Sequence, residues 1–270
     1  MRQISALLNI HDFSYENHCS QLAGYKRDVD ADFWSKTWSG DRDRLQELGQ
    51  IKTNEDYKTW CESKSSGMFV ISGENDSYRA HHCWASSAAL DFLDEKLANG
   101  STDRSSICAF HIFGNKDHEN TYSNVLSSLV YQILRADREI LQDQSQVDEM
   151  LAKLNEYQTL LKESSHECHN ALEDVALRAL SNINQNKVVW IVLDRVEKCC
   201  SHVEHQSPSQ RRSRKGALDL LRSLNRAVLQ GAAVIKVLAV VNRVDWRVDD
   251  PQDDIWDIQN IVVKRFCQVD

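Results

Sequence analysis

Short apolar runs alternate along the chain with longer segments whose apolar residues recur at helical spacing. Runs that are apolar almost throughout are typical of strands covered on both faces. We predict strands at 68–73, 107–113, 188–194, 235–241 and 261–263. We predict helices at 85–97, 125–134, 150–161, 172–183 and 218–228. This alternation predicts an α/β layer architecture with a mainly parallel sheet.

The first 60 residues lack this alternation, and we predict a helical or irregular lead there. The aromatic residues Phe33, Trp34 and Trp38 are large enough to pack onto the main domain. We therefore divide the chain into a lead at 1–60, which packs on the core, and one domain at 61–270. We find no internal repeat.

Composition narrows the class of protein. The chain has 270 residues, of which 41% are hydrophobic, and a formal net charge of -8. That charge argues against a surface built for nucleic acid or an anionic membrane. No apolar run is long enough to span a bilayer, and the first ten residues are too short an apolar segment for a secretory signal. The eight cysteines are scattered, so we expect reduced thiols and a cytoplasmic protein.

The stretch after the first predicted strand has the strand, turn and helix context of a phosphate-binding loop. The functional pattern is G-x-x-x-x-G-K-[ST]. Counted from Gly73, the last three positions hold Tyr78, Arg79 and Ala80. Tyr78 adds a ring where glycine lets the backbone approach phosphate, Arg79 replaces a slim ammonium with a wide planar group, and Ala80 has no hydroxyl for Mg²⁺. The loop context is retained, but its catalytic residues are not.

The third predicted strand ends in an acid, Asp194. The carboxyl ends of parallel strands line the ligand crevice of an α/β sheet. We therefore expect Asp194 to lie beside the loop that follows Gly73.

Five segments carry a resemblance to a known family. They are 57–60 (YKTW), 70–73 (VISG) with Ser77 in the following loop, 127–134 (SSLVYQIL), 191–199 (IVLDRVEKC) and 236–243 (KVLAVVNR). Together they resemble the NACHT class of P-loop NTPases, in its nephrocystin-like, fungal-type form. The resemblance implies a three-layer P-loop NTPase-like fold, with a five-stranded sheet between two layers of helices.

The resemblance also assigns roles that this chain keeps only in part. In the family, the residue matching Asp194 polarises a water on Mg²⁺, and the residue matching Arg243 is a sensing arginine. Glu197 stands where the family has Asp, and Lys198 stands where it has the Glu that orients the attacking water. A charged lysine cannot act as that base. Phosphoryl transfer needs the metal, the loop lysine and the positioned water together, so these changes favour a loss of catalysis.

Our main hypothesis is a catalytically inactive NACHT-like module for protein interaction or regulation, without a cofactor, a metal or catalytic residues. Its vestigial crevice would contain Gly73, Ser77, Tyr78, Arg79, Ala80, Asp194, Glu197, Lys198 and Arg243. The alternative is a nucleotide binder or slow NTPase that uses ATP and Mg²⁺, with Arg79 in place of the lysine. A third reading has Arg79 and Arg243 converge on a different anion. We expect a protein partner and no nucleic acid, and we leave oligomer formation open.

Two smaller signals favour ordinary packing over a special site. One cluster is Cys199, Cys200, His202 and His205, and the other is His81, His82 and Cys83. Thiolate and imidazole suit zinc, but the spacing matches no familiar zinc pattern, so we favour packed or solvated side chains. The basic run at 211–215 has no interleaved aromatic residues, and we favour a solvated loop over a nucleic-acid site.

Overall fold

The computed structural model describes residues 1–10, 15–33, 40–75, 81–100, 105–114, 120–163, 167–201 and 214–268. The helices are α1 (Arg2–Leu7), α2 (Tyr15–Phe33), α3 (Gly40–Thr53), α4 (Glu55–Glu62), α5 (Ser86–Gly100), α6 (Tyr122–Ala136), α7 (Gln144–Lys162), α8 (Cys168–Ser181) and α9 (Lys215–Gln230). The strands are β1 (Gly67–Glu74), β2 (Ser106–Ile112), β3 (Val188–Asp194), β4 (Val234–Asn242) and β5 (Ile261–Cys267). Short 3₁₀ turns span Arg138–Leu141, Val196–Lys198 and Asp254–Asp257.

The five strands form one parallel sheet in the order β2-β3-β4-β1-β5. The predicted α/β architecture with a five-stranded, mainly parallel sheet is confirmed. In the register, Gly73 of β1 lies opposite Asn242 of β4, and Asp194 of β3 lies opposite Val240 of β4. Strand β4 therefore separates the end of β1 from the end of β3.

Side chains of the central strand β4 alternate between two hydrophobic clusters, because successive residues of a strand point to opposite faces. Val237 and Val241 belong to the cluster on one face, which also contains buried residues of α1, α6, α7, α8 and α9. Leu238 and Val240 belong to the cluster on the other face, which contains buried residues of α2, α3, α4 and α5. The sheet is thus the middle of three layers.

Helices α2, α3 and α4 cover the second face. Val29 of α2 and Ile51 of α3 are fully buried, and Phe33 and Trp60 are nearly so. Apolar burial of this kind stabilises a fold by roughly 25 cal/mol per Å². Trp34 and Trp38 lie outside the described residues.

A cluster of aromatic side chains joins α4 and α5 to the sheet on this face. The ring centroid of Trp60 lies 5.7 Å from that of Phe69 and 5.9 Å from that of Phe92, and the Phe92 and Trp190 centroids are 5.3 Å apart. The ammonium of Lys96 lies 4.6 Å from the Trp190 centroid. Edge-to-face and offset rings at these separations attract one another beyond their area burial, and the ammonium adds a cation–π contact.

The 236–243 segment begins with a buried lysine that contacts α4. Lys236 of β4 is almost fully buried, and its ammonium donates a hydrogen bond to the Trp60 carbonyl in the last turn of α4. Carbonyls at a helix C-terminus lack intrahelical partners and favour a cation. Lys236 therefore ties the end of α4 to the sheet.

Among the described residues, no helix combines the length and the apolar character that a bilayer span requires.

The strand order predicts different costs for the same substitution in a central and an edge strand. Val240 of β4 is fully buried, whereas Val262 of β5 is partly buried against the same cluster. We expect Val240→Ala to lower the free energy of unfolding by about 2–3 kcal/mol and Val262→Ala by less than about 1 kcal/mol. Urea denaturation with unchanged m values would measure both. Equal losses would contradict the central position of β4.

Candidate functional site

The loop after β1 is longer than the phosphate-loop pattern requires. Strand β1 continues through Gly73 to Glu74, residues 81–85 form bends and turns, and α5 begins only at Ser86. In the pattern G-x-x-x-x-G-K-[ST], the final hydroxyl stands where the helix opens. Here the helix opens at Ser86, with Ala85 before it, whereas counting the pattern from Gly73 places the hydroxyl position at Ala80. Ser77, Tyr78, Arg79 and Ala80 lie outside the described residues.

Asn75 and Trp84 fix the two ends of this loop to each other. The Asn75 amide donates to the His82 carbonyl at 2.8 Å, and its oxygen accepts from the Trp84 backbone N–H at 3.0 Å. The indole of Trp84 donates to the Glu74 carbonyl at 3.0 Å and is fully buried. The added residues therefore return the chain to the end of β1 before α5 starts.

Gly73 is needed for close packing. Its role is not a left-handed backbone, since no described glycine has positive φ. A Cβ at Gly73 would lie 2.6 Å from Sγ of Cys83 and 2.7 Å from Cβ of Ala85. The returning loop thus occupies the space that a side chain at this position would need.

Asp194 lies fully buried at the end of β3, where two hydroxyl groups approach it. The phenol of Tyr25, from α2, donates to Oδ2 of Asp194 at 2.6 Å. The same phenol oxygen lies 3.5 Å from Oγ of Ser86. Burial raises the pKa of Asp194, and the two hydroxyls and the nearby charge of Arg195 oppose that rise. Burial and the Asp194 charge together raise the pKa of Tyr25, so the phenol stays a hydrogen-bond donor.

The two carboxylate oxygens of Asp194 differ in their hydrogen bonding. Oδ1 is buried and accepts no hydrogen bond from the described residues. A buried acceptor without a donor carries a desolvation cost. Asp194 therefore keeps one oxygen that a proton or a cation could bind.

Glu197 is held by an arginine that follows Asp194 directly. Arg195 adopts a left-handed backbone conformation, with φ of 67°, and its Nε donates to Oε1 of Glu197. The other carboxylate oxygen accepts from the Asn242 backbone N–H at 3.2 Å. Burial raises the pKa of Glu197, and Arg195 opposes the rise. The carboxylate of Glu197 is thus turned inward, toward β4.

The remaining nitrogens of Arg195 connect the loop to β4. Nη1 donates to the His81 carbonyl at 3.2 Å, and Nη2 donates to Oδ2 of Asp245 at 3.0 Å. That Asp245 oxygen also accepts from the Asn242 side chain at 3.2 Å. One guanidinium therefore holds the end of the loop, Glu197 and Asp245 together.

Arg243 belongs to a separate ion-pair network at the ends of β1, β4 and β5. Its Nε lies 3.0 and 3.1 Å from the two oxygens of Asp249, and its Nη1 lies 3.1 Å from Oε1 of Glu74. Oε2 of Glu74 accepts from Nε of Arg265 at 2.8 Å, and the Ser72 hydroxyl donates to Asp249 at 2.7 Å. Two carboxylates thus already neutralise the charge of Arg243.

Lys198 lies on the 3₁₀ turn after β3, beside Glu197. It is partly buried and lines a cavity of 610 Å³ at the carboxyl edge of the sheet, next to Asp245. The structure thus places Asp194, Glu197 and Lys198 at one edge, and Arg243 in a network of its own.

Sequence reasoning missed Tyr25, Ser86, Arg195 and Asp245. Tyr25 stands 169 positions from Asp194, and no pattern links the two residues. Ser86 could have been found by asking where the helical spacing begins, because that spacing starts near Ala85 and not near Ala80.

The cysteine and histidine clusters show no metal-binding geometry in the described part of the chain, where no group of three potential ligands comes together. His82 Nδ1 lies 2.6 Å from Oδ2 of Asp32 on α2. Burial raises the pKa of Cys83 to about 12, so its thiol stays protonated and is a poor ligand. His202, His205 and residues 211–213 of the basic run lie outside the described residues.

A Mg²⁺ ion would find suitable chemistry here, although the cluster does not fit it as it stands. A hydroxyl at the start of the loop helix and an acid at the end of a strand are the groups that hold this ion in P-loop proteins. Ser86 and Asp194 are such a pair. The phenol of Tyr25 contacts both of them, at 2.6 Å from Asp194 and 3.5 Å from Ser86, and Ala85 stands where the loop lysine would precede the hydroxyl.

Comparison with known families found a match over most of the chain. The family model described as nephrocystin 3, N-terminal, matches residues 49–240, which is more than half of the chain. A comparison with curated proteins found no significant match.

The packing at Gly73 predicts a loss of stability on adding one methyl group. We expect Gly73→Ala to lower the free energy of unfolding by about 1–3 kcal/mol, because Cys83 and Ala85 must move. The matched control is Gly49→Ala in α3, where nothing lies within 4 Å of the added Cβ. That control should raise stability by about 0.5–1 kcal/mol. Denaturant titration measures both, and a neutral Gly73→Ala would contradict the described packing.

The burial of Asp194 predicts a pH-dependent gain from Asp194→Asn. An acid whose folded pKa is raised loses stability as pH rises from its unfolded value, near 4, through its folded value. Asparagine keeps an acceptor for Tyr25 without the charge. The variant should therefore unfold at a higher temperature than the wild type, by a margin that is small near pH 4 and grows toward neutral pH.

The control for this substitution is Asp28→Asn, at an exposed position of α2. It should change stability by less than about 0.5 kcal/mol at any pH between about 4 and 8. Thermal unfolding at several pH values compares the two variants. A destabilised Asp194→Asn at neutral pH would show that the charge of Asp194 is favourable in the folded protein.

Proposed function

Because the chain belongs to the nephrocystin 3 N-terminal family, a NACHT-type module, we propose that it does not hydrolyse nucleotide and acts in protein interaction or regulation. The observation that carries this proposal is the position of Tyr25. Its phenol lies 3.5 Å from the Ser86 hydroxyl and 2.6 Å from Asp194, which are the groups that would hold Mg²⁺.

The phenol and the cation compete for one place. Mg²⁺ binds oxygen at about 2.0–2.1 Å, so an ion shared by Ser86 and Asp194 would occupy the space between their oxygens. Tyr25 is bonded to Asp194 at 2.6 Å in that space. Helix α2, which carries Tyr25, is itself held in place, because its Val29 is fully buried and its Asp32 lies 2.6 Å from His82. The contacts of α2 thus support a site closed to the metal.

The residues that would activate water support the same conclusion. Lys198 stands where the family has the water-orienting acid, and a protonated amine cannot accept a proton. Glu197 is committed to Arg195 and to the Asn242 backbone, so it does not replace the missing base. Catalysis would need the metal, the loop cation and the base together, and the described residues favour none of the three.

One observation favours a second candidate function. Oδ1 of Asp194 is buried and accepts no hydrogen bond from the described residues, which is an unusual state for a carboxylate oxygen. A cation could bind it if α2 moved away. The protein would then bind ATP with Mg²⁺, and Arg79, outside the described residues, would supply the charge of the loop lysine.

We also propose the setting in which the module works. A domain without a nucleotide switch can act as a constitutive scaffold or as an inhibitor of an intact relative. We propose a protein partner and a cytoplasmic location, with residues 1–60 as a lead that packs on the domain at 61–270. The buried side chains of α2, α3 and α4 support the packing of the lead on the domain.

Calorimetric titration with ATP and ADP, with and without Mg²⁺, tests the proposal. Three proteins are compared: the wild type, Tyr25→Phe and Arg79→Ala. We expect no binding heat at nucleotide concentrations up to about 1 mM for any of them, which corresponds to less than about 4 kcal/mol of binding free energy. Thermal unfolding confirms beforehand that each protein is folded.

Two results would favour the second candidate. Mg²⁺-dependent ATP binding that appears or tightens in Tyr25→Phe would show that the phenol alone closes the site. If the wild type hydrolyses ATP and Arg79→Ala abolishes this activity, the proposal that the protein does not hydrolyse nucleotide is overturned.

A further inference from the structure

We propose that a basic cavity at the carboxyl edge of the sheet binds an acidic segment of a partner protein. The basic cavity has a volume of 610 Å³. It is lined by Glu197, Lys198, Arg214, Val244, Asp245, Trp246 and Arg247. This inference rests on the proposed function, because it names the chemistry of the partner that the module would bind.

The two acids in the lining are already engaged. Glu197 accepts from Arg195 and from the Asn242 backbone, and Oδ2 of Asp245 accepts from Arg195 and from the Asn242 side chain. The buried guanidinium of Arg195 thus offsets negative charge on the wall. The lining cations are Lys198, Arg214 and Arg247.

These cations carry the charge of the site. Arg247 is exposed and makes no ion pair with the described residues. Arg214 lies 3.5 Å from Asp253, whose same oxygen accepts from the Trp246 indole at 2.7 Å. Since the whole chain has a net charge of -8, this concentration of cations is local. Such a cavity attracts anions through its own field.

The start of α9 adds to the field. A Cβ at Gly216 would lie 2.4 Å from the Cys200 carbonyl carbon, so glycine lets the first turn of α9 pack on the chain that leaves β3. The N-terminus of a helix carries partial positive charge and favours acids. Here it carries Arg214 and Lys215, with no acid in the first turn and no side-chain cap.

The size and lining of the cavity favour a peptide over a single small anion. A volume of 610 Å³ is within the range of about 300–1,000 Å³ found for pockets that hold ligands of many atoms. Arg214 also lines a second cavity of 390 Å³, so the two adjoin, and the second is lined further by Lys215, Leu218, Arg222, Gln252, Asp253 and Asp254. Val244 is 50% exposed and offers an apolar contact. Guanidinium groups bind carboxylates through paired hydrogen bonds, which suits glutamate or aspartate side chains.

The test uses the full chain and a fluorescein-labelled octapeptide of alternating glutamate and leucine. Binding is measured by fluorescence anisotropy at low salt. We expect Arg214→Gln combined with Arg247→Gln to weaken binding about tenfold or more, because two charge-assisted contacts are lost. Added NaCl should weaken binding to the wild type.

The matched control removes two arginines elsewhere. Arg2→Gln combined with Arg138→Gln changes the net charge equally, at exposed positions outside the cavity. Arg138 lies next to Asp137 and Glu139, which pair with Lys187 at the opposite edge of the sheet. This control should change the affinity less than about twofold. Thermal unfolding confirms that all variants are folded.

Each outcome either supports or overturns the proposal that the basic cavity binds an acidic segment. Absence of peptide binding, or equal loss in both double variants, would overturn it. Tripolyphosphate is the second probe. If the protein binds tripolyphosphate but not the peptide, the cavity is a site for small phosphates, and the proposal of an acidic peptide is overturned. The nucleotide titration separates this inference from the proposed function. ATP turnover together with intact peptide binding would refute only the proposal that the module is inactive. Absence of both peptide binding and nucleotide binding would refute only the proposal that the cavity binds an acidic segment.

Discussion

The buried carboxylate of Asp194 imposes a requirement on every element around it. An ionised acid removed from water needs hydrogen bonds or opposite charge, and the requirement is strict at full burial. Tyr25 of α2 supplies a donor at 2.6 Å, the hydroxyl of Ser86 at the start of α5 lies 3.5 Å from that phenol, and the Arg195 charge opposes the rise that burial causes in the pKa of Asp194. Three distant parts of the chain therefore meet at the end of β3.

The same requirement at Glu197 organises the neighbouring edge. Arg195 binds Glu197, Asp245 and the His81 carbonyl, and it does so from a left-handed backbone position. A non-glycine residue in that region is under strain, which the surrounding contacts must offset. At this edge, the Glu197 carboxylate and the Arg195 guanidinium, which could otherwise bind a cation or an anion, are bound to each other and to Asp245 and Asn242. This mutual satisfaction is the physical basis of the inactive module that we propose.

Covering both faces of a parallel sheet explains why the early helices belong to the same structure. A strand such as β4, buried on both faces, needs a layer on each side. Helices α6 to α9 cover one face, and α2 to α5 cover the other. Because α2 is held by this burial, Tyr25 reaches the sheet edge at a fixed position. The packing of the lead and the polar cluster at Asp194 thus depend on each other.

The sequence by itself determined the five strands, the helices between them and the acid at the end of β3, because apolar periodicity and strand boundaries are local signals. It also identified the family through short segments such as 191–199. It could not fix the place of β4 between β1 and β3, nor the 2.6 Å contact of Tyr25 with Asp194 across 169 positions. Counting the loop pattern from Gly73 gave Ala80 at the hydroxyl position, and only the tertiary structure showed that α5 begins at Ser86, after a longer loop. The tertiary structure decided these features, because buried polar groups are paired by whichever elements the packing of the sheet brings together.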